Sequence, residues 1–156
     1  MAIISWLNKT DRGSLIPLSL GFFIIAMTLT FISINISSAY AVKKQLINVS
    51  EAAINKSAHS ISLPAYYAQL NRFSNRKRVP LDCSAALSTF SRLISDSLIS
   101  GKKIRVEDFN CDLYDISAEV SILAKFPIQI PFFSLDQFGE FDIHAKIGAS
   151  SDYIPN

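Results

Sequence analysis

The chain has too few of the residues that most site chemistries require. It has five glycines, at positions 13, 21, 101, 139 and 148, scattered too widely for a glycine-rich phosphate loop, and it contains no G-x-S-x-G nucleophile turn. Its two histidines, His59 and His144, stand among polar residues with no Cys, Asp or Glu at metal-ligand spacing, so both read as solvated surface groups. Asp108, Asp112 and Asp115 lie around one turn, and turn-forming aspartate accounts for them better than calcium or catalysis. We therefore expect no enzyme, no catalytic residue, no cofactor and no metal. A formal net charge of +2 is too small to imply nucleic acid. A second long apolar run is also missing, which excludes an integral bundle and leaves room for one membrane span at most.

That one span is conspicuous. The thirty residues from Gly13 to Val42 carry no charged side chain. The apolar heart, Leu15 to Ile36, would extend about 33 Å as a helix, close to the roughly 30 Å of a bilayer's hydrocarbon core. Pro17 falls in the predicted first turn, where a missing N–H has no intrahelical partner to lose. Thr28, Thr30, Ser33 and Asn35 are the polar residues to explain inside the span. They either bond to a neighbouring helix, for which Asn35 is the best candidate, or bond back to their own helix.

Ser38-Ala39-Tyr40-Ala41 has the small-x-small form of a signal-peptidase site, with cleavage between Ala41 and Val42. Two features favour a retained anchor. The apolar region exceeds that of a signal peptide, and Ala39, Val42, Leu46, Val49 and Ala53 continue as an apolar seam at helical spacing through the supposed cut. Ile47, Ile54 and Ile61 add a second stripe, and a helix apolar on so broad a face requires a partner; we take the seam as an association surface. The helix is expected to run to about Ser60 and to end at Leu63-Pro64. Positive charges flank the span on both sides, Lys9 and Arg12 against Lys43, Lys44 and Lys56, so they do not fix its orientation.

The expected organisation is a stub over 1–13, a transmembrane helix over 14–38, a membrane-proximal amphipathic helix over 39–62 and a small α+β domain over 63–156. In that domain a basic connector, residues 71–80 with Arg76-Lys77-Arg78, reads as solvated surface. A second helix is predicted from Cys83 to Ser100, capped by Asp82, closed by Gly101, and with Cys83, Leu87, Phe90, Ile94 and Leu98 on one face. From Ile104 the period becomes two. A strand over Lys103 to Cys111 changes phase between Val106 and Phe109, which predicts a bulge. Ile116 to Ala124 and Phe141 to Ala149 alternate cleanly, as strands of a three-stranded, or four-stranded, antiparallel sheet with one wet face. Between them Phe126-Pro-Ile-Gln-Ile-Pro-Phe-Phe133 reads as an apolar loop, either a contact patch or a flap on the core.

Cys83 and Cys111 are either buried thiols or a disulfide. An even pair in a small exported domain favours the bridge. Asn48-Val-Ser50 and Asn55-Lys-Ser57 match the N-glycosylation pattern but fall on a predicted helix.

Several blocks, in order, resemble the TadE/TadG-like proteins, pilin-like components of tight-adherence (Flp) pilus systems, in their short actinobacterial form. They are Arg12-Gly13-Ser14 before the span, Ser37-Ser38-Ala39, Lys44-Gln45-Leu46 and Glu51-Ala52-Ala53. The distal part adds the strand Ile116 to Ala124, Phe126-Pro127-Ile128 to Pro131-Phe132, and Ile143-x-Ala145-x-Ile147-x-Ala149. The resemblance implies a single-pass envelope protein, amino terminus cytoplasmic and domain outside. It would serve as a structural or assembly (minor pilin-like) component, with the lipid bilayer and other pilin-like or pilus-assembly proteins as partners. Gly13-Ser14 would then be the processing site, an alternative to Ala41-Val42. Pilins cut by prepilin peptidase have a Glu five residues after the cleavage Gly; here that position is Leu18. The other functional class open to the sequence is an anchored or secreted ligand-binding or sensor module, using Phe126 to Phe133 or the basic connector.

Overall fold

The computed structural model describes residues 15–70, 78–127 and 140–151. Its element order is α1 (Leu15–Ser57), α2 (Leu63–Leu70), α3 (Cys83–Ser95), β1 (Leu98–Ile99), β2 (Lys102–Lys103), β3 (Arg105–Cys111), β4 (Asp115–Lys125) and β5 (Glu140–Ser150). This is the expected α+β arrangement. The helix expected to continue from the span, 14–38, into the amphipathic segment, 39–62, is one 43-residue helix from Leu15 to Ser57. It is long and apolar enough to cross a membrane.

α1 behaves as two halves. From Leu15 to Thr30 every side chain is exposed, including Leu15, Phe22 and Ile24. Further along, Leu46, Ser50, Ala53, Ile54 and Ser57 are buried, and Val42, Ile47 and Val49 pack beside them. Those residues recur at the three- and four-residue steps that stack side chains on one helix face. The face lies on β4, β5 and α3. Each fully buried Leu or Ile contributes about 1.5–3 kcal/mol relative to exposure. Ser50, Ala53 and Ser57 are small and allow the close approach. Ser57 gives its hydroxyl to the Ala53 carbonyl at 2.8 Å, whereas the Ser50 hydroxyl is buried without a partner.

The helix ends at Ser57, three residues before the expected point. Its last turn tightens: Ala58 N–H reaches Ile54 O, and His59 and Ser60 N–H reach Lys56 and Ser57 carbonyls. Pro64 does not end α1 but sits in the first turn of α2, where its fixed φ and missing N–H are tolerated. α3 is shorter than predicted, ending at Ser95. Gly101 does not close a helix. Ser100 and Gly101 both have positive φ (51° and 74°) and form the two-residue turn of the β1–β2 hairpin, with Ile99 opposite Lys102. The buried face of α3 is Ala86, Phe90 and Ile94; Leu87 turns towards solvent, and Leu98, outside the helix, is 61% exposed.

The three-stranded sheet has the order β3-β4-β5, antiparallel throughout. β4 and β5 pair without a register break from Asp115↔Ser150 to Lys125↔Glu140. β3 shifts register between Val106 and Asp108, which places Glu107 as the extra residue of the expected bulge. Ile143, Ala145 and Ile147 face the core with Ile116, Ala118, Val120, Ile122 and Ala124, as the alternation predicts.

The packing of α1 predicts opposite effects from two neighbouring truncations. Leu46→Ala is expected to cost about 2–5 kcal/mol of head stability, as loss of a buried Leu does. Ser50→Ala is expected to leave stability unchanged or raise it, because it removes a buried hydroxyl that has no hydrogen bond. Denaturant unfolding of the detergent-solubilised chain, followed by circular dichroism, measures both.

Candidate functional site

The residues expected to associate lie along α1. Of the seam, Leu46 (0% exposed) and Ala53 (5%) are buried against the chain's own sheet and α3, and Ala39, Val42 and Val49 are half-buried. Of the second stripe, Ile54 is buried, Ile47 half-buried, and Ile61 lies beyond the helix, 46% exposed and bridged to Leu81. The apolar surface still open on α1 is continuous from Leu15 to Thr30 and goes on along one side through Ile32, Ile34, Ile36 and Tyr40.

Most of the polar groups expected in the span are turned inwards on their own helix. Thr28 Oγ1 donates to Ile24 O at 2.8 Å, Thr30 Oγ1 to Ala26 O at 2.9 Å and Ser33 Oγ to Leu29 O at 2.9 Å; Ser19 does the same to Ile16 O. Of the two explanations for these residues, the structure adopts back-bonding, which satisfies each hydroxyl without a partner helix. Asn35 is half-buried on the face that also holds Phe31, Ser38 and Val42. Gly13 and Ser14 lie outside the described residues; Ala41 and Val42 are both within α1, with no break in the helix there.

The end of the head far from the span is tied by several contacts. Cys83, at the start of α3, is bonded to Cys111, at the end of β3, with a Cα–Cα distance of 5.8 Å. Asp82 caps α3, accepting from the Ser84 and Ala85 backbone N–H groups at 3.0 and 3.1 Å and from the Ser84 hydroxyl. The hydrogen bond from Ala85, and then that from the Ser84 hydroxyl, hold the Asp82 carboxyl below its ordinary pKa. The segment 78–82 runs as a strap: Val79 N–H reaches Ser151 O, Leu81 N–H reaches Leu113 O, and Asp82 N–H reaches Ser60 O. Of the basic connector, 71–77 lie outside the described residues. Arg78 is not a solvated surface charge, since it pairs with Asp115 at 3.1 Å and stacks over Tyr114 with 5.4 Å to the ring centroid. That ion pair is a signal the sequence lacks, because the two residues lie 37 apart in the chain. Asp112 and Asp115 flank the β3–β4 turn, closed by a backbone Asp112 N–H to Asp115 O bond of 2.8 Å, whereas Asp108, expected at the same turn, lies within β3 opposite Glu119.

The opposite end of the head faces the span. Phe126 stacks on Phe141 with centroids 4.5 Å apart, and Pro127 lines an open crevice with Leu29, Thr30, Ser33, Ile34, Ser37 and Ser38 of α1. Lys125 and Lys102 both reach Glu140, at 2.8 and 3.7 Å, and the Lys125 contact holds the Glu140 carboxyl below its ordinary pKa. Of the apolar loop, Ile128 to Phe133 lie outside the described residues.

His59 is exposed at the end of α1, and His144 lies on the wet face of β5, 3.9 Å from Glu119. Among the described residues no group of three His, Cys, Asp or Glu is placed to hold a metal ion. Ser50 and Ser57 of the two glycosylation patterns are buried, while Asn48 and Asn55 are exposed on α1. Compared with protein families, with curated proteins and with solved structures, the chain matches none.

Two outcomes follow for the tied end. Replacing both Cys83 and Cys111 with Ser is expected to lower head stability by roughly 3–4 kcal/mol, the chain-entropy value for a loop of this length, in denaturant unfolding. For Asp82 the folded-state pKa is lowered, so its contribution is present above the unfolded carboxylate pKa near 3.9 and is lost as pH falls through the folded value. Asp82→Ala is therefore expected to lower the melting temperature at neutral pH, with the gap from wild type closing in strong acid.

Proposed function

We propose that the chain is a non-enzymatic, single-span envelope protein of TadE/TadG-like type, a structural or assembly component of a Flp-type pilus system. The observation that carries this reading is the division of α1. One unbroken helix presents a fully exposed apolar front half to its surroundings, and its back half forms the core of the head. A chain built this way holds its head at a fixed attitude to the membrane, as a part added to an assembly should be held.

The blocks that carry the resemblance support the reading by their positions. Lys44-Gln45-Leu46 and Glu51-Ala52-Ala53 fall on the half of α1 that meets the head, and the alternating segments pair with each other as β4 and β5. We place the amino terminus in the cytoplasm and the disulfide-bonded head outside, where a disulfide persists. Lateral partners, other pilin-like subunits or assembly proteins, meet the front half of α1. The seam contributes there only through its membrane-ward members, Ala39 and Val42, which the head leaves half-exposed.

Photocrosslinking groups introduced at Phe22 and Leu29, on the exposed front half, are expected to capture pilin-like subunits in cells that make Flp-type pili. Deletion is expected to change pilus number or composition. Pili unchanged in both respects, together with no crosslinked subunit, would sink the reading.

A further inference from the structure

We propose that the rim of the head around Phe126, Pro127 and Leu98 is a lipid-contact surface that seats in the bilayer leaflet on the head's side, flanked by lysines at headgroup level. The inference rests on the anchoring part of the reading above and not on its pilus part.

The argument begins with length. A helix needs about 20 residues to cross the hydrocarbon core. Counted from Gly13, the first residue after the charge of Arg12, roughly that number ends near Ile32. Pro127 lines its crevice with residues of α1 on both sides of that level, Leu29 and Thr30 below, Ser33 and Ile34 above. Burial on the helix agrees: no side chain is covered from Leu15 to Thr30, and cover begins at Phe31. Partial cover therefore begins inside the uncharged apolar run that ends at Ile36, at the level where a span of about 20 residues counted from Gly13 would end. If the helix spans, the Phe126–Pro127 end of the head lies at or within the edge of the apolar layer.

The chemistry of that end suits the position. Phe126 and Phe141 form a stacked apolar pair, and Pro127 is exposed. Leu98, on the neighbouring β1–β2 hairpin, is exposed, although Ile99, next to it in the same strand, is buried. The hairpin belongs to the same end because Lys102 and Lys125, from β2 and β4, share Glu140 at the start of β5. Lys103, paired with Leu98 across the hairpin, is also exposed, so three lysines lie beside the apolar tip, two of them on Glu140. Aromatic and apolar groups at the boundary, with lysines reaching to the phosphates, are the arrangement that membrane interfaces favour. At the far end, by contrast, the exposed Leu113 stands beside Asp112 and Asp115.

The test uses the full chain with its single tryptophan, Trp6, replaced by Phe, and one reporter introduced by Phe126→Trp, Leu98→Trp or Leu113→Trp. Each is reconstituted into vesicles of equal parts phosphatidylcholine and phosphatidylglycerol whose acyl chains are brominated near the headgroup. Emission is compared with that in unbrominated vesicles. The indoles at 126 and 98 are expected to be quenched and blue-shifted, and that at 113 to be neither. Leu98→Trp provides an exposed site in case the 126 replacement disturbs the stack on Phe141. Stronger quenching at either 126 or 98 than at 113 upholds the proposal, and quenching at both no greater than at 113 overturns it. Flotation of the vesicles separates the two readings. A chain that fails to float with the lipid overturns the anchor and the rim together, whereas a floating chain with unquenched rim reporters overturns the rim alone.

Discussion

The contact between the back half of α1 and the β4–β5 face is the interaction on which the rest of the structure depends. The sheet has only three strands, and by itself it could not bury Ile143, Ala145 and Ile147 on one side. The helix covers that side and α3 completes the cover through Phe90 and Ile94, so the core is a helix-on-sheet layer with the anchor as one of its layers. Small side chains at Ser50, Ala53 and Ser57 set how closely the two layers approach. The head cannot rotate about α1 without breaking its own core, which makes the attitude of the head to the helix a consequence of folding and not of a linker.

This dependence distributes stability unevenly. At the end remote from the span, the Cys83–Cys111 bond, the Asp82 cap, the 78–82 strap and the Arg78–Asp115 pair all act within a few residues of each other. The arginine pair is partly exposed and adds little by itself, but with Tyr114 stacked beneath it the strap is held in place. Among the described residues, the end facing the span is held by the Phe126–Phe141 stack and by lysines gathered on Glu140. The covalent staple lies at the end of the head remote from the apolar part of α1.

The sequence revealed those parts of this design that are written in periodicity. The long uncharged run, the alternation in β4 and β5 and the phase change at Glu107 each arise from a local repeat that burial on one face enforces, and each is present where the pattern places it. The errors came where two local rules competed. Gly101 after a helical stretch reads as a helix stop, yet Ser100 shares its positive φ, and the pair makes a hairpin turn. Pro64 reads as the end of one helix when it is the start of another. Leu87 has helical spacing from Cys83 and Phe90 but faces solvent, because Ala86 permits closer approach on the adjoining stripe. Non-local pairs such as Arg78–Asp115, and the fact that the seam meets the chain's own sheet, leave no trace in local pattern. An apolar seam states that something covers it and does not say what.

That ambiguity bears on how such a chain meets others. With Leu46 and Ala53 committed to the head, the part of α1 ahead of it carries Ser19, Thr28, Thr30 and Ser33, whose hydroxyls are already bonded to their own backbone. On the function proposed above, association along this part of the helix would rest on side-chain packing, since lipid supplies no hydrophobic driving force between helices. A component held in that way would draw much of its placement from the attitude of its head, and the helix-on-sheet core is what fixes that attitude.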